Sequence, residues 1–299
     1  MKSGFVGIVG RPNVGKSTLL NAVLGEKIAI TTEKPQTTRN SIRGIYTHYA
    51  EKDSEDDIQM IFIDTPGIHK PHNKLGEYMT DTAIGTFGEV DVILFIVDDA
   101  LSKGPGDKYI VELLKEIDTP KILVINKIDK IGPDDFAAIY REYEELGVFD
   151  EILGTSALEG THVENVINAA SRYMEEGPMY FPDDIVTENP ARFIVSEIIR
   201  EKILLYLQDE VPHGVAVEIE SYEESDRLTK IGAVIYCERK SHKGMIIGKG
   251  GRKLKGIGKS AREEIEGLLG TKVYLETWVK VKENWRDSDI ALTNFGYKD

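Results

Sequence analysis

Apolar and polar residues alternate in blocks along the first half of the chain. Short apolar runs at Phe5–Val9, Ile42–Tyr49, Ile58–Ile63, Val92–Val97, Ile122–Ile125 and Ile152–Thr155 are bounded by turn formers and read as strands. Between them, segments near 17–24, 75–87, 107–117, 134–146 and 162–175 repeat their apolar residues at helical spacing. Strand and helix in alternation predict a mostly parallel sheet with helices on both faces, an α/β domain over residues 1–177. The acidic stretch Glu51-Lys52-Asp53-Ser54-Glu55-Asp56-Asp57 reads as a hairpin tip, which makes one strand antiparallel. From Gly177 through Pro178, Pro182 and on to Pro190 there is no period, so residues 178–190 read as a linker. Beyond it, a helix over Ala191–Leu207 and strands at Val215–Ile219, Ile231–Cys237 and Lys272–Val281 predict a second, α+β domain over residues 191–299.

Charge sharpens this division. The net charge is −14, of which residues 1–180 carry −12 and residues 181–299 carry −2. Within the second part, Arg239–Arg262 holds nine Lys/Arg and no Asp/Glu. A local +9 segment in an acidic protein points to a polyanion site. The one cysteine, Cys237, allows no disulfide within the chain and reads as a buried strand residue, which suits a reducing cytoplasm. Met1-Lys2-Ser3-Gly4 runs directly into a strand, which reads as no signal peptide. The longest apolar run, Val92–Val97, is too short to span a bilayer.

The first chemistry lies directly after the first strand. Gly10–Ser17 reads GRPNVGKS and fits G-x-x-x-x-G-K-S/T, a phosphate-binding loop. Gly10 and Gly15 let the backbone curl so that successive N–H groups point into one concavity, and the helix beginning at Lys16 adds its positive dipole end. Lys16 can bridge β- and γ-phosphate oxygens, and the Ser17 hydroxyl can ligate magnesium. Gly10, Asn13, Val14, Gly15, Lys16, Ser17 and Thr18 are therefore assigned to a nucleotide.

Three further motifs follow apolar strands, at the strand ends where open α/β sheets bind ligands. Asp64-Thr65-Pro66-Gly67 places a carboxylate that can hold magnesium through a water and an N–H, that of Gly67, that can reach a γ-phosphate. Asn126-Lys127-Ile128-Asp129 offers a carboxylate, Asp129, that can accept two hydrogen bonds from the ring N–H and amine of guanine, a pair of donors that adenine lacks. Asn126 and Lys127 would brace that loop and cover the base. Thr155-Ser156-Ala157 places Ser156 beside the base and the Ala157 N–H toward the guanine carbonyl.

Together GRPNVGKS, DTPG, NKID and TSA resemble the motif set of translation-factor-type GTPases, and Pro35-Gln36-Thr37-Thr38-Arg39 resembles the first switch segment of the Era family. The resemblance implies that Thr38, rather than Thr37, meets magnesium and the γ-phosphate. The residues nearest the chemistry would then be Lys16, Thr38 and Gly67, and the metal ligands Ser17, Thr38 and Asp64. Where Ras-like GTPases carry a water-orienting Gln after this motif, the chain has Ile68, which can hold no water. No arginine finger is legible either, and such a group typically supplies about 10³–10⁵ in rate, so slow intrinsic hydrolysis is expected. In related GTPases that use potassium, the asparagine at the Asn13 position ligates the ion; the alternative is that Asn13 only shapes the loop.

In the second domain, Gly248-Lys249-Gly250-Gly251 lies between two helical segments and is followed by Arg252, Lys253 and Lys255. A G-x-x-G loop between helices is how KH domains clamp single-stranded RNA, and the order helix, strand, strand, helix, G-x-x-G, helix, strand is that of a type II KH domain. Gly248, Lys249, Gly250, Gly251, Arg252, Lys253 and Lys255 are the candidate RNA contacts. A P-loop GTPase domain joined to a KH domain resembles the Era family over nearly the whole chain. The resemblance implies binding to the 3′ end of small-subunit ribosomal RNA, a role in small ribosomal subunit maturation, and peripheral contact with the inner face of the cell membrane. A second reading is a nucleotide-gated RNA-binding assembly protein with negligible turnover.

Overall fold

The computed structural model describes residues 1–34, 36–50, 57–101, 104–207 and 211–298. Contacts divide the chain into two compact units, one of residues 1–29, 38–71 and 79–188, the other of residues 30–37, 72–78 and 189–299. Pro35, within the expected first switch segment, and most of the acidic stretch Glu51–Asp57 lie outside the described residues.

The first unit runs β1 (Lys2–Gly10), α1 (Lys16–Leu24), β2 (Ile42–His48), β3 (Ile58–Asp64), α2 (Lys74–Gly85), β4 (Val92–Val97), α3 (Pro105–Lys115), β5 (Lys121–Ile125), α4 (Pro133–Glu144), β6 (Glu151–Gly154), α5 (Val163–Ser171) and β7 (Glu175–Glu176), with the start of α2 counted in the second unit. The strands lie in the order β2-β3-β1-β4-β5-β6, and β7 pairs with the start of β1. Neighbours from β3 to β6 run parallel, whereas β2 is antiparallel to β3. Strands covered on both faces must be apolar on both, and every residue of β3, β4 and β5 is buried. The chain leaves β1 to one side for β3 and to the other for β4. This reversal opens a crevice at the carboxyl ends of the strands, where the phosphate-binding loop follows β1.

The second unit runs α6 (Ala191–Tyr206), β8 (Val215–Glu223), β9 (Leu228–Cys237), α7 (Lys240–Ile247), α8 (Arg252–Leu269), β10 (Lys272–Val281) and α9 (Asp289–Asn294). Its sheet has the order β10-β9-β8, with β9 parallel to β10 and antiparallel to β8. Ile198, Ile203, Ile235, Ile257, Ala261 and Ile265 form the centre of a core between the helices and one face of this sheet. The helical periodicity of α6 and α8 supplies that apolar stripe.

One reading of the sequence changes here, and two tryptophans find their places. Trp278 is 46% exposed, because β10 is an edge strand with one solvated face. Trp285 is fully buried and donates its indole N–H to the carbonyl of Gly214 at 2.9 Å, packed edge-on to Phe295 after the unforeseen helix α9. Residues 178–188, read as linker, belong to the first unit. Gln59, wholly buried in β3, receives the N–H groups of Tyr180 and Phe181 at 2.8 and 3.0 Å and donates to the Phe181 carbonyl at 2.8 Å. Thr187 then bridges to Gly44 of β2.

Replacing Gln59 by Leu would leave those three backbone groups without their partner, at a cost of roughly 1–3 kcal/mol. The expected result is faster proteolytic cleavage within residues 178–188, read by mass spectrometry, with the rest of the first unit still intact.

Candidate nucleotide and RNA sites

The phosphate-binding loop passes from β1 into α1 and is braced by the base-side loops. Asn126 donates its amide to the Val14 carbonyl at 2.8 Å and accepts the N–H of Ala157 at 3.0 Å. Lys127, in a left-handed conformation, donates to the Asn13 carbonyl at 2.8 Å. The NKID and TSA segments thus meet the loop as the sequence order requires. One detail differs: the Ala157 N–H, expected to face a guanine carbonyl, is taken by Asn126. Asp129 accepts a hydrogen bond from the Ser156 hydroxyl at 2.5 Å and remains exposed, with its carboxylate on the surface of the same loop cluster.

Lys16 is buried at the mouth of the loop, where its ammonium donates to the carbonyls of Gly10 and Arg11 at 3.2 and 2.8 Å. Burial pushes its pKa down to about 8, with Arg11 adding to the shift and Asp64 opposing it. Asp64, at the end of β3 and fully buried, is pushed up to about 6 by burial against the pull of Lys16, Ser17 and Thr38. The Ser17 hydroxyl donates to Asp64 Oδ2 at 2.6 Å and lies 2.8 Å from Thr38 Oγ1. Thr37 points elsewhere, donating its hydroxyl to the Lys34 carbonyl at 2.6 Å. Thr38 is therefore the threonine that joins Ser17 and Asp64.

These three oxygen-bearing side chains fit a hard divalent cation. All the donors are oxygens, as magnesium prefers, and the second carboxylate oxygen of Asp64 is buried with no hydrogen-bond partner. Gly67 passes so close to Pro12 that a Cβ there would sit 2.6 Å from the Pro12 nitrogen, so only glycine lets this strand end approach the loop. Ile68 is buried in the core beside it, with no side-chain polar group to offer a water. His69 contacts the Gly67 carbonyl and His72 is exposed.

Arg11 was hidden among the variable positions of the motif. It pairs with Asp107 at 2.6 Å and Asp98 at 2.9 Å, which ties the loop to the start of α3. No local pattern announces those two carboxylates, since both come from distant strand and helix ends.

In the second unit, Gly248, Gly250 and Gly251 all have φ between 61° and 74°, the left-handed region that other residues enter at a cost. A Cβ on Gly250 or Gly251 would meet nothing, so the open side of the loop is free for a close ligand. Lys249, Arg252 and Lys255 are exposed on and just after the loop, with Lys253 partly covered. Gly251 caps α8, whose amino end aims its N–H groups at the same turn.

A family profile described as 50S ribosome-binding GTPase matches residues 5–127, and one described as KH domain matches residues 210–286. GTPase Era of Alkaliphilus oremlandii is 58% identical over 298 residues, covering 99% of both chains. GTPase Era of Clostridioides difficile is 56% identical and covers all of this chain. The chain belongs to the Era family of GTPases. Two solved Era structures share the whole fold at 40% identity, each covering 100% of both chains. One is Era in complex with MgGDPNP and nucleotides 1506–1542 of 16S ribosomal RNA, with a TM-score of 0.93. The other is a variant of Aquifex aeolicus Era bound to GDP·AlF4−, with a TM-score of 0.94. As in that family, a P-loop GTPase domain of α/β class is followed by an α+β type II KH domain.

Asp129→Asn should exchange guanine for xanthine as the preferred base. Losing two charge-assisted hydrogen bonds corresponds to a GTP affinity lower by roughly 100-fold or more. Competition binding with GTP and XTP reads the exchange, and an unaltered preference for GTP would place the base elsewhere.

Proposed function

We propose that this chain is a GTP-hydrolysing switch that binds single-stranded RNA at the 3′ end of small-subunit ribosomal RNA and acts in maturation of the small subunit. The observation that carries the reading is the presence, on one chain, of two built sites. Ser17, Thr38 and Asp64 converge beneath a phosphate loop, and a Gly-Lys-Gly-Gly turn with positive φ at its three glycines lies within a +9 segment. The full-length likeness to an Era structure holding 16S ribosomal RNA supports the choice of RNA.

In this reading the N–H groups of the phosphate loop and Lys16 hold the β- and γ-phosphates, and Asp129 selects guanine. Magnesium supplies charge neutralisation at the phosphate oxygens, and Ser17, Thr38 and Asp64 would hold it. Thr38 and Gly67 report the presence of the γ-phosphate because both must sit close to it. The buried Ile68 leaves the attacking water without a side chain to orient it, so turnover without a partner is slow. Lys249, Arg252, Lys253 and Lys255 attract the RNA backbone, and the glycines let it come close. The resemblance also implies peripheral contact with the inner face of the cell membrane and a cytoplasmic location. On this chain that reading rests on kinship alone, and no helix among the described residues is long and apolar enough to cross a membrane.

The test is the affinity for a short RNA of the small-subunit 3′ end in three states: empty, GDP-bound and bound to a non-hydrolysable GTP analogue. Tighter binding in one state is expected, and by linkage RNA should tighten that nucleotide by the same factor. Lys249→Asp combined with Gly250→Asp should abolish RNA binding at moderate salt, with GDP binding by the same sample as the folding control. Equal affinity in all three states would remove the switch.

Asn13 is the proposed potassium ligand. It lies exposed in the loop at φ 67°, with its carbonyl held by Lys127. Potassium should then raise the hydrolysis rate over sodium at equal ionic strength, and Asn13→Ala should erase the difference.

A further inference from the structure

Arg11 lies in the turn between β1 and α1, and its guanidinium sits between two carboxylates. Its Nε donates to Asp107 Oδ1 at 2.6 Å and its Nη2 to Asp98 Oδ1 at 2.9 Å. Burial opposes the charge, but the two carboxylates outweigh it and hold the pKa above its ordinary value. One carboxylate suffices to pair a guanidinium, and Asp107, buried in the first turn of α3, is well placed for it. Gly106 beside it leaves room for the arginine stem, since a Cβ there would sit 2.7 Å from Arg11 Cδ. The second carboxylate calls for another explanation.

Asp98 has a second oxygen, and it faces the base side of the site. Asp98 Oδ2 lies 3.7 Å from the ammonium of Lys127, the same ammonium that donates to the Asn13 carbonyl at 2.8 Å. The order of the strands gives the reason. β4 lies between β1 and β5 in the sheet. β1 leads into Arg11, β5 leads toward Lys127, and β4 ends one residue before Asp98. The aspartate therefore stands between the two cations, with its side chain 18% exposed. Arg11, Asp98, Asp107 and Lys127 all belong to the first compact unit.

The two oxygens of a carboxylate move as one rigid group, so turning Asp98 toward one cation draws it from the other. A lysine stem is flexible, and fastening its ammonium removes much of that freedom before a ligand arrives. We propose that Asp98 is a positioning residue for the nucleotide: one oxygen holds Arg11 of the phosphate loop and the other draws the Lys127 ammonium, so that the base clamp and the phosphate loop are set together. The inference rests on the reading of Lys127 as the residue that covers the guanine base. Asp98 touches no part of the nucleotide in this role and acts through its two cations.

The test is a double-mutant cycle read in nucleotide affinity. Fluorescent GDP is titrated into the full-length parent, Asp98→Asn, Lys127→Met and the double variant. Asp98→Asn keeps the shape and removes the charge, and Lys127→Met keeps an apolar stem and removes the ammonium. With Lys127 in place, Asp98→Asn should weaken GDP about 10-fold, the scale of one charge-assisted hydrogen bond. In the Lys127→Met background the same change should weaken it by no more than about three-fold, the share that runs through Arg11. A carboxylate that only braces the loop through Arg11 would weaken GDP by the same factor in both backgrounds, and that result overturns the proposal. An Asp98→Asn variant that binds GDP as tightly as the parent overturns it too.

Should Asp98→Asn fail to fold by circular dichroism, Arg11→Lys takes its place. A single ammonium lacks the fork that reaches both carboxylates, so it pairs with Asp107 and releases Asp98. Its effect on GDP must then differ by about three-fold or more between the parent and the Lys127→Met background, or the proposal falls. If Lys127→Met itself binds GDP as tightly as the parent, the base lies elsewhere and the proposal falls with that reading. If Lys127→Met weakens GDP and the two changes simply multiply, the reading of the base stands and the role of Asp98 alone is lost.

Discussion

A charge taken out of water must find a partner, and the site depends on that rule. Lys16 and Asp64 are both buried beneath the phosphate loop, one shifted down and the other up by the same cause. Neither would be tolerated in an apolar sheet unless the loop carbonyls, the hydroxyls of Ser17 and Thr38, and an incoming ligand share their fields. The parallel sheet exists around them as a rigid frame: β1 delivers the loop, β3 delivers Asp64, and β5 delivers Asn126. Because β3, β4 and β5 are buried on both faces, none of these strand ends can shift without disturbing the core.

Much of this was legible from spacing. A strand that is apolar throughout and ends in a glycine-rich turn has few alternatives, and the six predicted strands of the first domain lie within a residue or a few of those observed. The choice of Thr38 over Thr37 needed the family resemblance; in the structure the two adjacent threonines have different partners, Ser17 for Thr38 and the Lys34 carbonyl for Thr37. The KH order was legible for the same reason as the sheet, since its helices and strands carry clean periods.

What stayed hidden depends on contacts between distant residues. Gln59 reads as one polar residue in a strand, yet it pins residues 178–188, and prolines there suggested a free tether. Arg200 is one charged residue in the helix predicted over Ala191–Leu207, and its burial has no local signal. Trp285 is buried and Trp278 exposed because burial of an aromatic depends on which sheet face it meets and on whether a later helix, here α9, covers it. The Ala157 N–H illustrates the limit for sites: its position in the loop was right, but a side chain one loop away competes for the donor.

The passage of residues 186–187 along β2 has a further consequence. β2 is the outermost strand of its sheet, and an outermost strand offers a row of unsatisfied N–H and C=O groups to any extended polypeptide. Here Ile45 donates to the Val186 carbonyl, and Thr187 donates its hydroxyl to the carbonyl of Arg43. The molecule therefore shields part of its own vulnerable margin with its own backbone. A nascent chain that has emerged only as far as β6 would lack that shield, leaving the margin open to self-association until the next stretch arrives.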